Sequence, residues 1–394
     1  MSTVSRVRLS GRGRRRVEGG HPWIFADDVV STEAEPGDVV AIESPDGRRL
    51  GWGLYSSESK IRVRLFSRGE ERPDAEFWKA QLARAIAARR RMGLFDPAGA
   101  CRLLAGDADL VPGLVIDHYA GVYVFQSGSQ GSDRLVPVLA EALCELAGEP
   151  VAIVDRSDAS VRRLEGLEKR VEILRGSLPP SLEVREEGLV YEVDVLHGHK
   201  TGHYLDQRVN RMRAARLSRG RAMLDAFCYD GLFAVRAALE GATSVLCLDQ
   251  AEAALERARR NAERNGVLSK LSFERVDVMR DLRSRADLDG RFGVVVVDPP
   301  AFARNKGELE GAERGYRELN LRALKLVESG GHMVSASCSH AMKSEHFVAV
   351  LTQAAHLSGR AVYLEELLGA SPDHSALLVL PESSYLKCAF LRVE

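Results

Sequence analysis

The sequence predicts an α/β protein whose C-terminal half carries a doubly wound parallel sheet. Three observations lead there. From about residue 200, strand-like and helix-like runs alternate regularly. The strand-like runs, such as "FGVVVVD", are apolar enough to be covered on both faces, as parallel strands are. Four successive strands end in an acid: Asp225, Asp249, Asp277 and Asp298. Ahead of this half, residues 1–74 read as short strands and residues 75–185 as a small α/β segment, leaving 186–394 as the last domain.

Taken in order, "HPWIF", "GDVVAIES", "LGWGLYS" and "KIRVRLF" are β-rich runs separated by the turn-forming "PDGRR" and "SSES", the pattern of a small β-barrel. Trp23 and Phe25 are expected in its core, since aromatic residues dominate small cores; stacking on a base is the other reading. Phe77, Leu82 and Ile86 recur at helical spacing over 75–92. A hairpin is expected around Tyr119-Ala120-Gly121, and "LPPS" at 178–181 reads as a linker. The run 186–196 alternates like a hairpin. Then follow the strand "AMLDAF", the helix "LFAVRAALEG", the strand "SVLCLD" and an amphipathic helix over "AEAALERARRNAERNG" with an Asn-Gly stop. Strands "LSFERVD", "FGVVVVD" and "HMVSAS" complete the series.

Composition narrows the class. The chain has 394 residues, 45% hydrophobic and 28% charged, with a net charge of -1, so it is not a nucleic-acid binder by bulk charge. Two arginine blocks break that neutrality. One lies within residues 1–20. The other is Arg208, Arg211, Arg213, Arg216, Arg219 and Arg221. Each forms either a phosphate footprint or a solvated face. The 6 cysteines include no C-x-x-C pair, and neither a secretory leader nor a membrane-length apolar run is seen. Free thiols and a cytoplasmic location are the expectation, with no membrane partner.

Ligands of doubly wound sheets sit beyond the carboxyl ends of the strands, at the switch point. The acid closing the second strand, Asp249, is placed to accept from a ribose diol. No G-x-G-x-x-G follows the first strand, so nothing there is built for a pyrophosphate. An adenosine cofactor without phosphates fits better, and S-adenosylmethionine is the one expected. Its site should take in Asp225, Phe227, Tyr229 and Gly231 of the first turn, then Asp249, then Asp277 at the adenine amino group, and Asp298 with Pro299. Acids at strand ends also cap helices, but four in register with a double proline favour a site.

The segments "HGHKTGHYLDQR" (197–208), "DAFCYDGLFAV" (225–235), "DPPAF" (298–302), "SASCSH" (335–340) and "YLKCAF" (385–390), with "GHPWIF", "RLLAGDADLVPGLVID" and "DRSDASVRRLEGL", resemble RlmI-type 23S rRNA large-subunit cytosine-5 methyltransferases over essentially the whole chain. That resemblance implies an N-terminal PUA-like RNA-binding barrel, a small α/β middle domain and a C-terminal class I, Rossmann-like methyltransferase domain. It also implies methylation of carbon 5 of a cytosine in 23S rRNA, presented naked or in a large-subunit assembly particle. Whether the enzyme is a monomer or a homodimer stays open. Leu232 stands where the family often has a second glycine, beside the methionine end of the cofactor.

Cys338 alone could be a buried small hydrophobe; the resemblance makes it the nucleophile. A thiolate adds to carbon 6 of cytosine and makes carbon 5 nucleophilic, and cysteine serves because it both attacks and leaves well. Asp298 would hold the ring as the second catalytic group. Cys228 is a rival that sits in the cofactor turn and is expected only to pack. Tyr204, Asp206 and Gln207 should border the cofactor and the target base. His197, His199 and His203 lack partners at ligand spacing, and the chemistry needs no metal. Two other readings remain: an rRNA methyltransferase acting on a base nitrogen, and a non-catalytic RNA-binding assembly factor.

Overall fold

The computed structural model describes residues 4–286, 292–302 and 306–394. They form two compact units. The first comprises Met1–Arg185, Val193–Leu205 and Pro372–Ser383, and the second Glu186–Glu192, Asp206–Ser371 and Ser384–Glu394.

The first unit begins with β1 (Arg6–Leu9), α1 (Gly11–Glu18), β2 (Trp23–Phe25), β3 (Val29–Thr32), β4 (Val39–Glu43), β5 (Arg49–Tyr55) and β6 (Ile61–Ser67). These strands make one six-stranded sheet in the order β2-β6-β5-β4-β1-β3. Its core is Val7, Leu9, Val17, Ile24, Val40, Ile42, Tyr55, Val63 and Leu65. Trp23 and Phe25 are not in that core. Side chains alternate along a strand, so Ile24 points in and its two neighbours stay half-buried. The Trp23 indole donates to Asp107 at 2.8 Å, and the Arg16 guanidinium lies 4.7 Å above the Phe25 ring.

A second sheet follows, built from β7 (Ala100–Ala105), β8 (Leu114–Tyr119), β9 (Val122–Ser127), β10 (Ala152–Ser157) and β11 (Arg170–Gly176) in the order β11-β10-β9-β8-β7. Helices α2 (Ala75–Arg91) and α3 (Gln130–Ala147) pack on it through Trp78, Leu82, Ile86, Leu135, Leu139 and Leu143. The expected hairpin joins β8 to β9, with Ala120 and Gly121 at φ of 46° and 85°, the two left-handed positions of a tight primed turn. The chain passes between the units at the short strands β12 (Glu183–Glu186) and β13 (Leu189–Glu192).

The second unit is the doubly wound domain. Its elements are α4 (Arg208–Leu217), β14 (Ala222–Ala226), α5 (Leu232–Leu239), β15 (Ser244–Asp249), α6 (Glu252–Arg264), β16 (Leu271–Arg275), α7 (Val278–Ala286), β17 (Phe292–Val297), α8 (Leu309–Leu326), β18 (Val327–Ser337), α9 (Ser344–Ser358), β19 (Val362–Leu368) and β20 (Lys387–Val393). The seven strands run β16-β15-β14-β17-β18-β20-β19. Only β20 is reversed against its neighbours. The order turns back between β14 and β17, and that is the switch point. Leu224, Leu246, Val295, Val297 and Met333 of the strands pack with Tyr316, Leu319, Phe347 and Leu351 of the helices.

Most of the second arginine block is committed to the fold. Arg208 and Arg211 are buried on Glu186, Arg213 pairs with Glu366, Arg219 with Glu240 and Arg221 with Glu328. Arg216 is exposed, and no acid among the described residues pairs with it. The N-terminal block stays nearer the surface. Asp28, fully buried, accepts from Arg12 at 2.7 Å and Arg16 at 3.0 Å.

Burial alone would raise the Asp28 carboxyl, but the Arg12 hydrogen bond, the Phe25 amide and the charge of Arg16 outweigh it and hold it below 3.8. A carboxylate lowered on folding stabilises the folded state above its unfolded value, and loses that contribution as pH falls through the folded value. Asp28→Ala should therefore cost about 2 kcal/mol at neutral pH, the scale of hydrogen bonds to a charged group. Urea midpoints of the two proteins should converge as pH falls below 3.8. A gap that stays constant into acid would show that the Asp28 charge is not what stabilises this corner.

Candidate active site

Register delivers the site. Ala226 lies opposite Val297, and Val297 opposite Ser335, all in parallel pairing. The residues just past these strand ends therefore share one edge: Phe227 after β14, Asp298 after β17, and Cys338 after β18. Asp249 closes β15 on the same edge.

The turn after β14 is tightly wound. Phe227 and Tyr229 have φ of 64° and 51°, left-handed values at non-glycine residues, and Gly231 follows at 75°. Such backbone costs about 1–3 kcal/mol per non-glycine residue and persists only where its surroundings hold it. Three hydrogen bonds do so here. Cys228 N–H donates to Leu248 C=O at 3.0 Å, Gly231 N–H to Cys228 C=O at 2.8 Å, and Tyr229 N–H to the Asp249 carboxylate at 2.9 Å. A Cβ on Gly231 would come within 2.8 Å of the Ala258 Cβ, so glycine also lets α5 and α6 approach. Leu232 is the buried first residue of α5.

Asp225 is buried within this turn. One carboxylate oxygen accepts from Ala234 N–H at 3.1 Å. The other is buried with no hydrogen-bond partner among the described residues. Burial pushes this carboxyl far up. The Ala234 bond opposes that, and the charges of Asp298, Asp249 and Asp230 add to it. An acceptor without a donor, crowded by acids, suits a ligand that brings N–H groups and positive charge. S-adenosylmethionine, with its ammonium and sulfonium, is such a ligand, and Asp225, the turn and Asp249 are the residues able to hold it.

The other expected residues fall in different places. Gln207 is buried, donates to Asp298 at 2.9 Å, and accepts from the buried Asn210 at 2.6 Å. Asp206 is buried and accepts from the Tyr385 hydroxyl at 2.5 Å. Pro299 is buried behind Asp298. Asp277 is exposed and caps α7, accepting from Arg280 N–H at 3.2 Å. Tyr204 belongs to the first unit, where its hydroxyl lies 3.0 Å from His199 Nδ1 and Lys200 sits 4.5 Å over its ring. Among the described residues no cluster of His, Cys, Asp and Glu could hold a metal ion.

Cys338 is half-buried, while Cys228, Cys247 and Cys388 of the same unit are buried. Its serine neighbours face the other way, onto α8. Ser335 donates to Asn320 at 2.5 Å, Ser337 to the Tyr316 hydroxyl at 3.0 Å, and Ser339 lies 3.2 Å from that hydroxyl. The rival thiol is unsuited to attack. The hydrogen bond between Cys228 and Cys247, and then burial, push Cys228 far above its ordinary value, which keeps it protonated. Asn210, Tyr316 and Asn320 carried no local signal in the sequence.

A doubly wound domain whose first turn lacks a G-x-G-x-x-G and whose strand-end acids share one edge suits a nucleoside cofactor, and the comparisons specify the class. Residues 139–375 match the S-adenosylmethionine-dependent methyltransferase family, and residues 7–68 the PUA-like domain. The protein is an S-adenosylmethionine-dependent methyltransferase with an N-terminal PUA-like domain. It belongs to the ribosomal RNA large subunit methyltransferase I family. Members from Shewanella denitrificans and Shigella boydii are each 38% identical to it, over 98% and 95% of this chain and 99% and 95% of their own. Among solved structures, a Streptococcus mutans protein described as a SAM-dependent methyltransferase shares the fold, with a TM-score of 0.85 at 18% identity over 99% of this chain and all of its own. A structure of a methyltransferase complexed with SAH gives 0.86 at 19%, over 99% and 100%.

If Asp249 accepts from the ribose diol, Asp249→Ala should weaken S-adenosylmethionine binding by about 1.5–3 kcal/mol, roughly 10- to 100-fold in Kd. Calorimetry reads this directly. An unchanged Kd would remove Asp249 from the cofactor site.

Proposed function

We propose that this protein methylates carbon 5 of a cytosine in the 23S rRNA of the large ribosomal subunit, in the cytoplasm, through a covalent adduct with Cys338. The rRNA substrate comes from the names of the relatives. The chemistry rests on one observation: Cys338 is the one thiol of the second unit that is not buried, and it stands at the cofactor edge of the sheet, near Asp298.

Carbon 5 of cytosine is a weak nucleophile. The Cys338 thiolate forms a bond to carbon 6, and the displaced π electrons make carbon 5 enamine-like. S-adenosylmethionine, when bound, supplies the electrophilic methyl group. Loss of the carbon 5 proton then restores the double bond and expels the thiolate. Asp298, oriented by Gln207 and Asn210, accepts from the exocyclic amine or a protonated ring nitrogen and so stabilises the adduct. The target base must leave its stack to reach such an edge. The PUA-like domain and the exposed arginines of residues 6–16 supply phosphate contacts that offset this cost. Residues 1–74, 75–185 and 186–394 are then RNA-binding, middle and catalytic parts.

Methylation of a base nitrogen needs no thiol, so the thiol decides between the readings. RNA carrying 5-fluorocytosine at the target should trap wild-type protein as an adduct that survives denaturing electrophoresis, because fluorine cannot leave as a cation. Cys338→Ala should form no adduct and transfer no methyl group while still binding S-adenosylmethionine. Cys228→Ala should still form the adduct. A Cys338→Ala protein that methylates at near wild-type rate would sink this mechanism.

A further inference from the structure

Lys387 is a buried cation that the chemistry above does not use. It opens β20 directly opposite Ser337, the last residue of β18. Its residue exposure is 5%. Its Nζ donates to the carbonyl of Ser339 at 2.8 Å and to that of Tyr385 at 2.7 Å. No carboxylate among the described residues forms an ion pair with it. An ammonium has three N–H groups, and the two carbonyls take two of them. Burying an ammonium without a counter-charge is costly, and a methionine would fill the same space without that cost.

The charges around Lys387 show which group it can serve. Asp298 lies past β17, and its charge acts on both Tyr316 of α8 and Cys388 of β20. Tyr385 is tied to Asp206, and the His340 ring lies 5.2 Å from the Tyr385 ring. In this acid-rich corner a thiolate at Cys338 would be disfavoured unless a cation faced it. Cys338 is the charge that acts on Lys387: burial lowers the amine to about 8 even though the charge of Cys338 acts to raise it. The same amine grips the carbonyl of Ser339, next in the chain to Cys338, and so fixes the backbone that aims the thiol.

We propose that Lys387 is a positioning residue that holds Cys338 as a thiolate and fixes its direction, an inference that rests on the reading of Cys338 as the nucleophile. The proton balance is simple. The thiol proton passes to solvent, leaving a thiolate beside the Lys387 ammonium. Sulfur donates its pair to carbon 6, forming the S–C bond. Elimination returns that pair to sulfur, again facing the ammonium.

The test is the pH dependence of Cys338 alkylation by iodoacetamide in the full-length protein, read by peptide mapping, with S-adenosylmethionine affinity as the check of folding. Lys387→Met should move the alkylation midpoint up by about one pH unit or more and slow alkylation roughly tenfold at neutral pH. Lys387→Gln, polar and uncharged, should do the same and serves if the methionine variant misfolds. Lys387→Arg keeps the charge and should keep the wild-type midpoint. A wild-type midpoint in folded Lys387→Met or Lys387→Gln would overturn the proposal, as would a midpoint raised equally in Lys387→Arg. The two readings fail separately. Methylation by Cys338→Ala would end the nucleophile reading, whereas an unmoved midpoint with an inactive Cys338→Ala would end only the role of Lys387.

Discussion

The parallel pairing of β17 with β18, Val297 opposite Ser335, is the constraint on which the site depends. It sets Asp298 and Cys338 at one edge of the sheet. Because β14 pairs with the other side of β17, it also sets both beside the turn that follows β14. A one-residue slip would reverse every side chain of β18. Cys338 would turn toward α8, and the serines that now bond to Tyr316 and Asn320 would lose their partners. Those buried hydroxyl contacts therefore hold the register as well as the strand.

The edge carries an excess of negative charge, and the arrangement is consistent with a cationic cofactor. Asp225 has an oxygen that meets no donor among the described residues, and Asp249 accepts from the amides of Tyr229 and Ala251. The left-handed turn and the crowded acids both raise the free energy of this edge, and a positively charged ligand relieves the electrostatic part. Strain of this kind concentrates where function requires a fixed backbone.

Much of this was legible in the sequence because parallel strands buried on both faces leave long apolar runs, and the acids that close them stand out. Asp249 and Asp298 were picked out as strand-end acids in that way and Cys338 through the family resemblance, and the strand register sets all three at one edge of the sheet. What stayed hidden depends on distant partners. Lys387 meets a carbonyl 48 residues away, and Gln207 meets Asp298 at a separation of 91. Nothing local marks either contact. The reversed strand β20 is invisible to periodicity, since its residues look like any buried strand. Phe227 and Tyr229 gave no hint of left-handed backbone, because that preference is usually signalled by glycine or asparagine. The arginines of 208–221 read as a surface block, yet Glu186, Glu366, Glu240 and Glu328 take up five of the six. Sequence shows where charge is dense, and only the fold shows which charges are already paired.

The central claim is that a methyl group replaces the hydrogen on carbon 5 of a cytosine. It can be read without any variant. Large-subunit rRNA lacking the modification and labelled with tritium at carbon 5 of cytosine would be incubated with the purified protein and S-adenosylmethionine, and tritium released to water compared with methyl groups incorporated. The account predicts one tritium released for each methyl group gained, since carbon 5 must lose its hydrogen to restore the ring. Methyl incorporation with no release of tritium would place the methyl group on another atom and contradict the account.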